Sequence, residues 1–165
     1  MGWCLNDDVV AFGNLRLAVQ RIAMSHWNGE YRLRSWGVAP LYRDGDALCV
    51  TCAPDEALWI GAWLEDESNA AVVKVYDVIS GTSGEINLPG AYQLSAMEAE
   101  IGGSKEPLAI PSESGSRTYR LDISLPNSRV SIDLMLLPSA TWAELSGRDP
   151  PDPLDEPPPH PPLLG

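Results

Sequence analysis

The sequence predicts an all-β domain, an antiparallel β-sandwich or barrel closed by a short C-terminal helix and followed by a disordered proline-rich tail. Three observations predict it. Between residues 30 and 137 the dominant period of apolar and polar side chains is two. The alternating runs are bounded by short clusters of Asp, Asn, Ser, Pro and Gly, the residues that tolerate tight turns and positive φ. Eight of the fifteen prolines lie between Pro150 and Pro162, a density that leaves polyproline II or disorder as the available states.

Near the N-terminus, Asn14 to Met24 places Leu15, Ala18, Val19 and Ile22 at helical spacing, and helix and strand are equally open there. Glu30 to Trp36 and Ala47 to Ala53 read as strands, the second preceded by the turn Arg43-Asp44-Gly45-Asp46. Pro54-Asp55-Glu56 resembles a helix start, but Trp59, Ile60 and Gly61 favour β over helix, so Ala57 to Leu64 is assigned as a strand. The turn Asp66-Glu67-Ser68-Asn69 then leads to strands at Ala71 to Ile79 and Gly84 to Leu88. After Leu88-Pro89-Gly90 comes a further strand at Ala91 to Glu100.

The clearest alternation runs from Arg117 to Leu125, where Tyr119, Leu121, Ile123 and Leu125 alternate with Thr118, Arg120, Asp122 and Ser124. Val130, Ile132, Leu134 and Leu136 repeat the pattern after the short break Pro126-Asn127-Ser128, which makes the pair an antiparallel hairpin. Thr141-Trp142-Ala143-Glu144 has the spacing of a capping box and Gly147 suits the left-handed residue after a helix. One domain, residues 1–147, is therefore expected, with residues 148–165 as the tail. As a linker or disordered end the tail needs no ligand, although Pro157-Pro158-Pro159-His160-Pro161-Pro162 has the composition of an aromatic-groove ligand.

Composition limits the partners. The 165 residues carry 11 basic and 23 acidic side chains, a net charge of -12. A chain of this length buries roughly 70% of its unfolded surface and needs no metal or disulfide to hold a core. Its negative field disfavours nucleic acid and anionic membranes, both polyanions that demand Lys and Arg. Asp7, Asp8, Arg16 and Arg21 interrupt the first thirty residues, so no secretory signal is read. The longest uncharged apolar stretch, around Ala57 to Leu64, falls far short of the roughly 20 residues that cross a bilayer. Cytoplasmic residence without membrane contact is the expectation.

The motifs that could carry chemistry are incomplete. Cys49-Val50-Thr51-Cys52 is a lone CxxC, which Cys4 and His26 would complete as a Cys3His set. Residues three apart on a strand point to opposite faces, which is wrong for chelation. Neither a metal nor any other cofactor is therefore assigned. His26 with nearby Glu30 suggests a dyad, but no GxSxG elbow or HExxH helix accompanies it, and Gly81-Thr82-Ser83-Gly84 lacks the Lys of a phosphate loop. Asp122 and Asp133 read as solvated strand positions, and no catalytic residue is named.

Charge and tryptophan supply the functional expectation. Residues 51–100 hold nine acidic side chains (Asp55, Glu56, Glu65, Asp66, Glu67, Asp77, Glu85, Glu98, Glu100) against Lys74 alone. Trp59 and Trp63 share one strand face and Leu58, Ile60, Ala62 and Leu64 the other, so the tryptophan face is either covered or an aromatic recognition surface. The candidate contacts are Asp55, Glu56, Trp59, Trp63, Glu65, Asp66 and Glu67, offered to a basic protein surface.

The order and spacing of Ala71-Val72-Val73-Lys74-Val75-Tyr76-Asp77, a strand ending at Ile101, Ser116-Arg117-Thr118-Tyr119-Arg120-Leu121 and Ile132-Asp133-Leu134-Met135-Leu136-Leu137-Pro138 resembles the C-terminal half of competence protein J type β-sandwich proteins. The resemblance covers less than half of the chain; the tail and the N-terminal segment have no counterpart in it. It implies an inhibitor that binds a DNA-entry nuclease. The expected function is a non-enzymatic acidic protein-binding module, an inhibitor or immunity-type protein for a basic partner such as a nuclease. The alternatives are a structural, oligomer-forming sandwich subunit and a small hydrolase using His26.

Overall fold

The computed structural model describes residues 2–28, 35–66, 69–77, 79–90, 92–94, 96–99, 103–110 and 115–154. Their strands are β1 (Cys4–Asn6), β2 (Val9–Phe12), β3 (Leu15–Ala23), β4 (Leu41–Asp44), β5 (Ala47–Thr51), β6 (Glu56–Leu64), β7 (Ala71–Tyr76), β8 (Thr82–Leu88), β9 (Gln93–Leu94), β10 (Met97–Ala99), β11 (Lys105–Glu106), β12 (Arg117–Leu125) and β13 (Ser128–Leu137), followed by helix α1 (Ser139–Ser146). They form two sheets, a five-stranded one in the order β1-β2-β3-β6-β9 and an eight-stranded one in the order β11-β10-β8-β7-β12-β13-β5-β4. Among the described residues neither sheet closes on itself, so the architecture is a sandwich and not a barrel.

The core lies between the sheets. Leu15, Leu17 and Val19 of β3 and Leu58, Ile60 and Ala62 of β6 belong to one buried cluster with Val73, Val75, Ile86, Leu121, Ile123, Ile132 and Leu134 of the larger sheet. Each such side chain, fully buried, is worth about 1.5–3 kcal/mol against remaining exposed. The larger sheet alternates as its sequence requires: Tyr119, Leu121 and Ile123 are buried while Arg120 is exposed and Asp122 half-exposed.

β3 resolves the open choice at Asn14 to Met24 in favour of a strand, with nine register pairs to β6 from Leu15↔Leu64 to Ala23↔Glu56. Its second face, with Ala18, Gln20 and Ile22, is also buried, as are Ala57 and Trp59 beside it on β6. A strand buried on both faces loses its alternation and reads as a near-continuous apolar run, and that left the helical spacing visible. Beyond β2 the edge of β3 is occupied by the segment 36–39: Trp36 donates to Arg21 O (2.9 Å), Arg21 to Gly37 O (3.0 Å) and Ala39 to Val19 O (2.7 Å). The strand expected at Glu30 to Trp36 lies outside the described residues over 30–34, and Ser35 and Trp36 lie outside any strand.

Three other expectations change. The single strand expected at Ala91 to Glu100 is two: β9 pairs with β6 in one sheet and β10 with β8 in the other. The chain therefore crosses between sheets there, over Gly84, where a Cβ would stand 2.5 Å from Leu94 Cδ1 and 3.2 Å from Ala96 O. Helix α1 starts two residues before the capping box, after Pro138, and no side chain caps it, whereas Gly147 closes it at φ 70° as expected. The pairing of β13 with β5 is parallel, in a fold otherwise antiparallel among its named strands.

The chain after Gly147 keeps to the body as far as it is described. Arg148 donates to Leu41 O (2.8 Å) and lies 3.5 Å from Asp8 Oδ1, Asp152 O accepts from Arg21 Nη2 (2.8 Å), and Leu154 packs against the core. Contacts with the body thus continue past the boundary expected near Gly147 as far as the chain is described, and the polyproline run at 157–162 lies outside the described residues. None of the helices of the described residues is long and apolar enough to cross a membrane.

Candidate functional site

The expected contact residues are organised by β6. Nine residues of extended chain span roughly 30 Å, and Asp55 precedes the strand while Glu65 and Asp66 follow it. Asp55 and the Glu65-Asp66 pair are exposed at opposite ends of the sandwich and cannot form one contact patch. Glu67 lies outside the described residues.

Glu56 is not a surface carboxylate. It is 3% exposed and its Oε1 sits 2.6 Å from Nη2 of Arg21, itself 8% exposed. Arg21 also holds Asp152 O, so the guanidinium ties β3, β6 and the C-terminal segment together. Trp59 is buried too, and its indole lies 3.4 Å from where a Cβ on Gly61 would stand. Glu56 and Trp59 are thereby removed from the expected contact set, because a group at the centre of the free fold has no surface to offer.

The remaining acidity of the middle segment is dispersed. Asp77 is buried against Arg117. Glu85 stands across from Lys74 and Glu98 across from Lys105 in the strand register. Among the described residues the charge surplus along the sequence is therefore not one charge patch in space.

Trp63, Glu65 and Asp66 do come together. Trp63 is 42% exposed on the last turn of pleat in β6, directly opposite Arg16 in the register. Arg16 Nε lies 3.5 Å from Glu65 Oε1, on the same outer side. Glu65 N–H donates to Asn14 O (2.8 Å) and Asn14 Nδ2 donates to Asp66 O (3.0 Å), so the β2–β3 turn fixes the backbone of both acidic residues. A cavity of about 260 Å³ lined by Leu64, Leu88, Pro89, Gly90 and Tyr92 adjoins the Trp63 indole.

The other candidates separate in space. Cys49 packs with Leu137 and Trp142 under α1, whereas Cys52 belongs to the main core, so the CxxC thiols serve different clusters. Burial pushes the Cys52 thiol up to about 12, and burial with the nearby Asp44 carboxylate raises that of Cys49. Cys4 is exposed. Among the described residues no three His, Cys, Asp or Glu side chains converge to hold a metal. His26 ends an exposed 3-10 turn with its ring edge-on to Trp36, centroids 5.2 Å apart, and Glu30 lies outside the described residues.

Two arrangements escape the sequence reading. One is the Asp77–Arg117 pair, in which Asp77 Oδ2 accepts from Nε (2.7 Å) and Nη2 of Arg117 while Oδ1 accepts from the amides of Ile79 (3.0 Å) and Ser80 (3.3 Å). The other is an open cleft of about 450 Å³ beside it, on the larger sheet, lined by Tyr76, Asp77, Gly81, Thr82, Ser83, Arg120 and Asp122. No protein-family model matches the chain, and no curated protein or solved structure matches it either.

Proposed function

We propose that the protein is a non-enzymatic binding module for a basic protein surface, acting in the cytoplasm as an inhibitor or immunity-type partner of an enzyme such as a nuclease. The contact surface is the end of the sandwich that carries Trp63, Glu65 and Asp66. The observation that carries this reading is the half-exposed Trp63 indole at the tip of an otherwise buried strand, next to two exposed acidic residues whose backbone Asn14 holds and of which Glu65 also meets Arg16. An aromatic anchor beside a charged rim is the usual composition of a binding hot spot. Rim carboxylates accelerate encounter with a cationic partner and discriminate against anionic ones. The resemblance of residues 70–140 to competence protein J type proteins supports a nuclease as the partner.

The test begins with proteins that co-purify from the native cell at low salt and leave at high salt. The partner so identified is purified, and its affinity is measured against Trp63→Ala and the charge reversal Glu65→Lys/Asp66→Lys. Trp63→Ala is expected to weaken binding by about 2 kcal/mol, roughly 30-fold. The charge reversal is expected to slow association and flatten its salt dependence. Unchanged affinity and salt dependence in both variants would overturn the reading.

A further inference from the structure

The outer face of the eight-stranded sheet has a covered half and an open half. Helix α1 covers β5: Trp142 is fully buried there and its Nε1–H donates to Cys49 O (3.1 Å). Over β8, β7, β12 and β13 the pairing sets outward side chains in cross-strand rows. Ser83, Tyr76, Arg120 and Asp133 make one row, and Glu85, Lys74, Asp122 and Ser131 the next. The cleft of about 450 Å³ opens on these rows, with Gly81 of the β7–β8 turn and Thr82 at the start of β8 behind it. That volume lies within the range of small-molecule sites and accommodates a disaccharide.

The groups in the cleft are fixed before any ligand arrives. Asp122 Oδ1 accepts from Ser131 Oγ (2.5 Å) and from Arg120 Nε (3.3 Å), which orients the carboxylate and leaves Oδ2 without a partner among the described residues. The back wall is held by Asp77, whose carboxylate binds the turn amides and Arg117. Ser80 and Thr82 hydroxyls, 2.8 Å apart, tie the two sides of the turn. Such preorganisation lowers the ordering cost of binding.

Charge selects the ligand class. The charged side chains lining the cleft are offset in pairs, Arg120 with Asp122 in front and Asp77 with Arg117 behind, so the lining favours neither an anion nor a cation. What fits is an uncharged molecule rich in hydroxyls with one apolar face. Neighbouring hydroxyls of a sugar ring donate to the Asp122 carboxylate and accept from the Arg120 guanidinium, while the C–H face of the ring packs on Tyr76. We propose that this cleft binds a neutral saccharide. The proposal is independent of the protein-binding reading, whose residues lie on the other sheet.

The experiment is a nitrogen-15 NMR titration of the full chain with glucose, galactose, mannose, N-acetylglucosamine, maltose, cellobiose and lactose, each to about 50 mM, with acetate and methylammonium as charged controls. The expected result is shifts confined to Tyr76, Ser83, Arg120, Asp122 and their strand neighbours for at least one sugar, with a Kd on the order of 1 mM. Tyr76→Ala and Asp122→Asn, each with the rest of the spectrum intact, should weaken that binding at least about tenfold, and Trp63→Ala should leave it unchanged. Asp122→Asn sits on the open face, so the test survives even if Tyr76→Ala does not fold. Absence of localised shifts with every sugar, equal binding by Asp122→Asn, or shifts from the charged controls alone would each overturn the proposal.

Discussion

Asp77 shows how one side chain sets the acid limit of the fold. Burial by itself would raise its pKa, but the hydrogen bonds from Arg117, from the Ser80 hydroxyl and from the Ile79 and Ser80 amides outweigh burial and hold it below the ordinary 3.8. A depressed carboxylate contributes stability that is complete above the unfolded pKa and drains away as pH falls through the lower folded value. Urea unfolding followed across pH should therefore show stability falling below about pH 4. In Asp77→Asn the total should drop by about 3 kcal/mol near neutrality, with this part of the acid limb flattened. This pair was legible in principle. Asp77 continues the inward phase of Ala71, Val73 and Val75, and Arg117 that of Tyr119, Leu121 and Ile123. Arg21 and Glu56 likewise sit in phase with Val19 and Leu58. A charge on the apolar phase of a strand implies a buried partner, and two opposite charges so placed imply each other. Counting acids along the chain instead concealed this, because it weighted buried Glu56 and Asp77 equally with exposed Glu65.

At the scale of elements, Gly84 is the constriction through which the chain changes sheets. Gly84→Val should cost about 1–3 kcal/mol by overpacking against Leu94 and the Ala96 carbonyl. Adding Leu94→Ala should recover part of the loss, since the side-chain end can be removed and the backbone oxygen cannot. Thermal unfolding of the single and double variants checks this. The hairpin β12–β13 was legible because one face meets the core and the other water, although its nine register pairs close about a two-residue turn and Ser128, expected in the break, already belongs to β13. The crossing from β9 to β10 was not, since two short strands in different sheets share one continuous apolar pattern. β1, β2, β4 and β11 went unread because strands of two to four residues carry too little alternation to register.

At the scale of the molecule, the folded unit extends past its helix. Truncation after Gly147 removes Arg148 from Leu41 and Asp152 O from Arg21, leaving a buried guanidinium short of one acceptor. Chemical denaturation should register a loss of about 1–3 kcal/mol for this truncation. The expected contact surface was only partly legible for a related reason: β6 is an extended rod, and sequence proximity along a rod does not mean proximity on the surface. A last consequence belongs to the parallel seam between β5 and β13. The β4–β5 hairpin has no place in its sheet until β13 arrives, and β13 is the last of the named strands to be synthesised. Until then the hairpin waits with an unsatisfied backbone edge, so the larger sheet completes only once β13 has been synthesised. Nascent chains stalled before Ser128 are the species in which chaperone engagement and aggregation should concentrate.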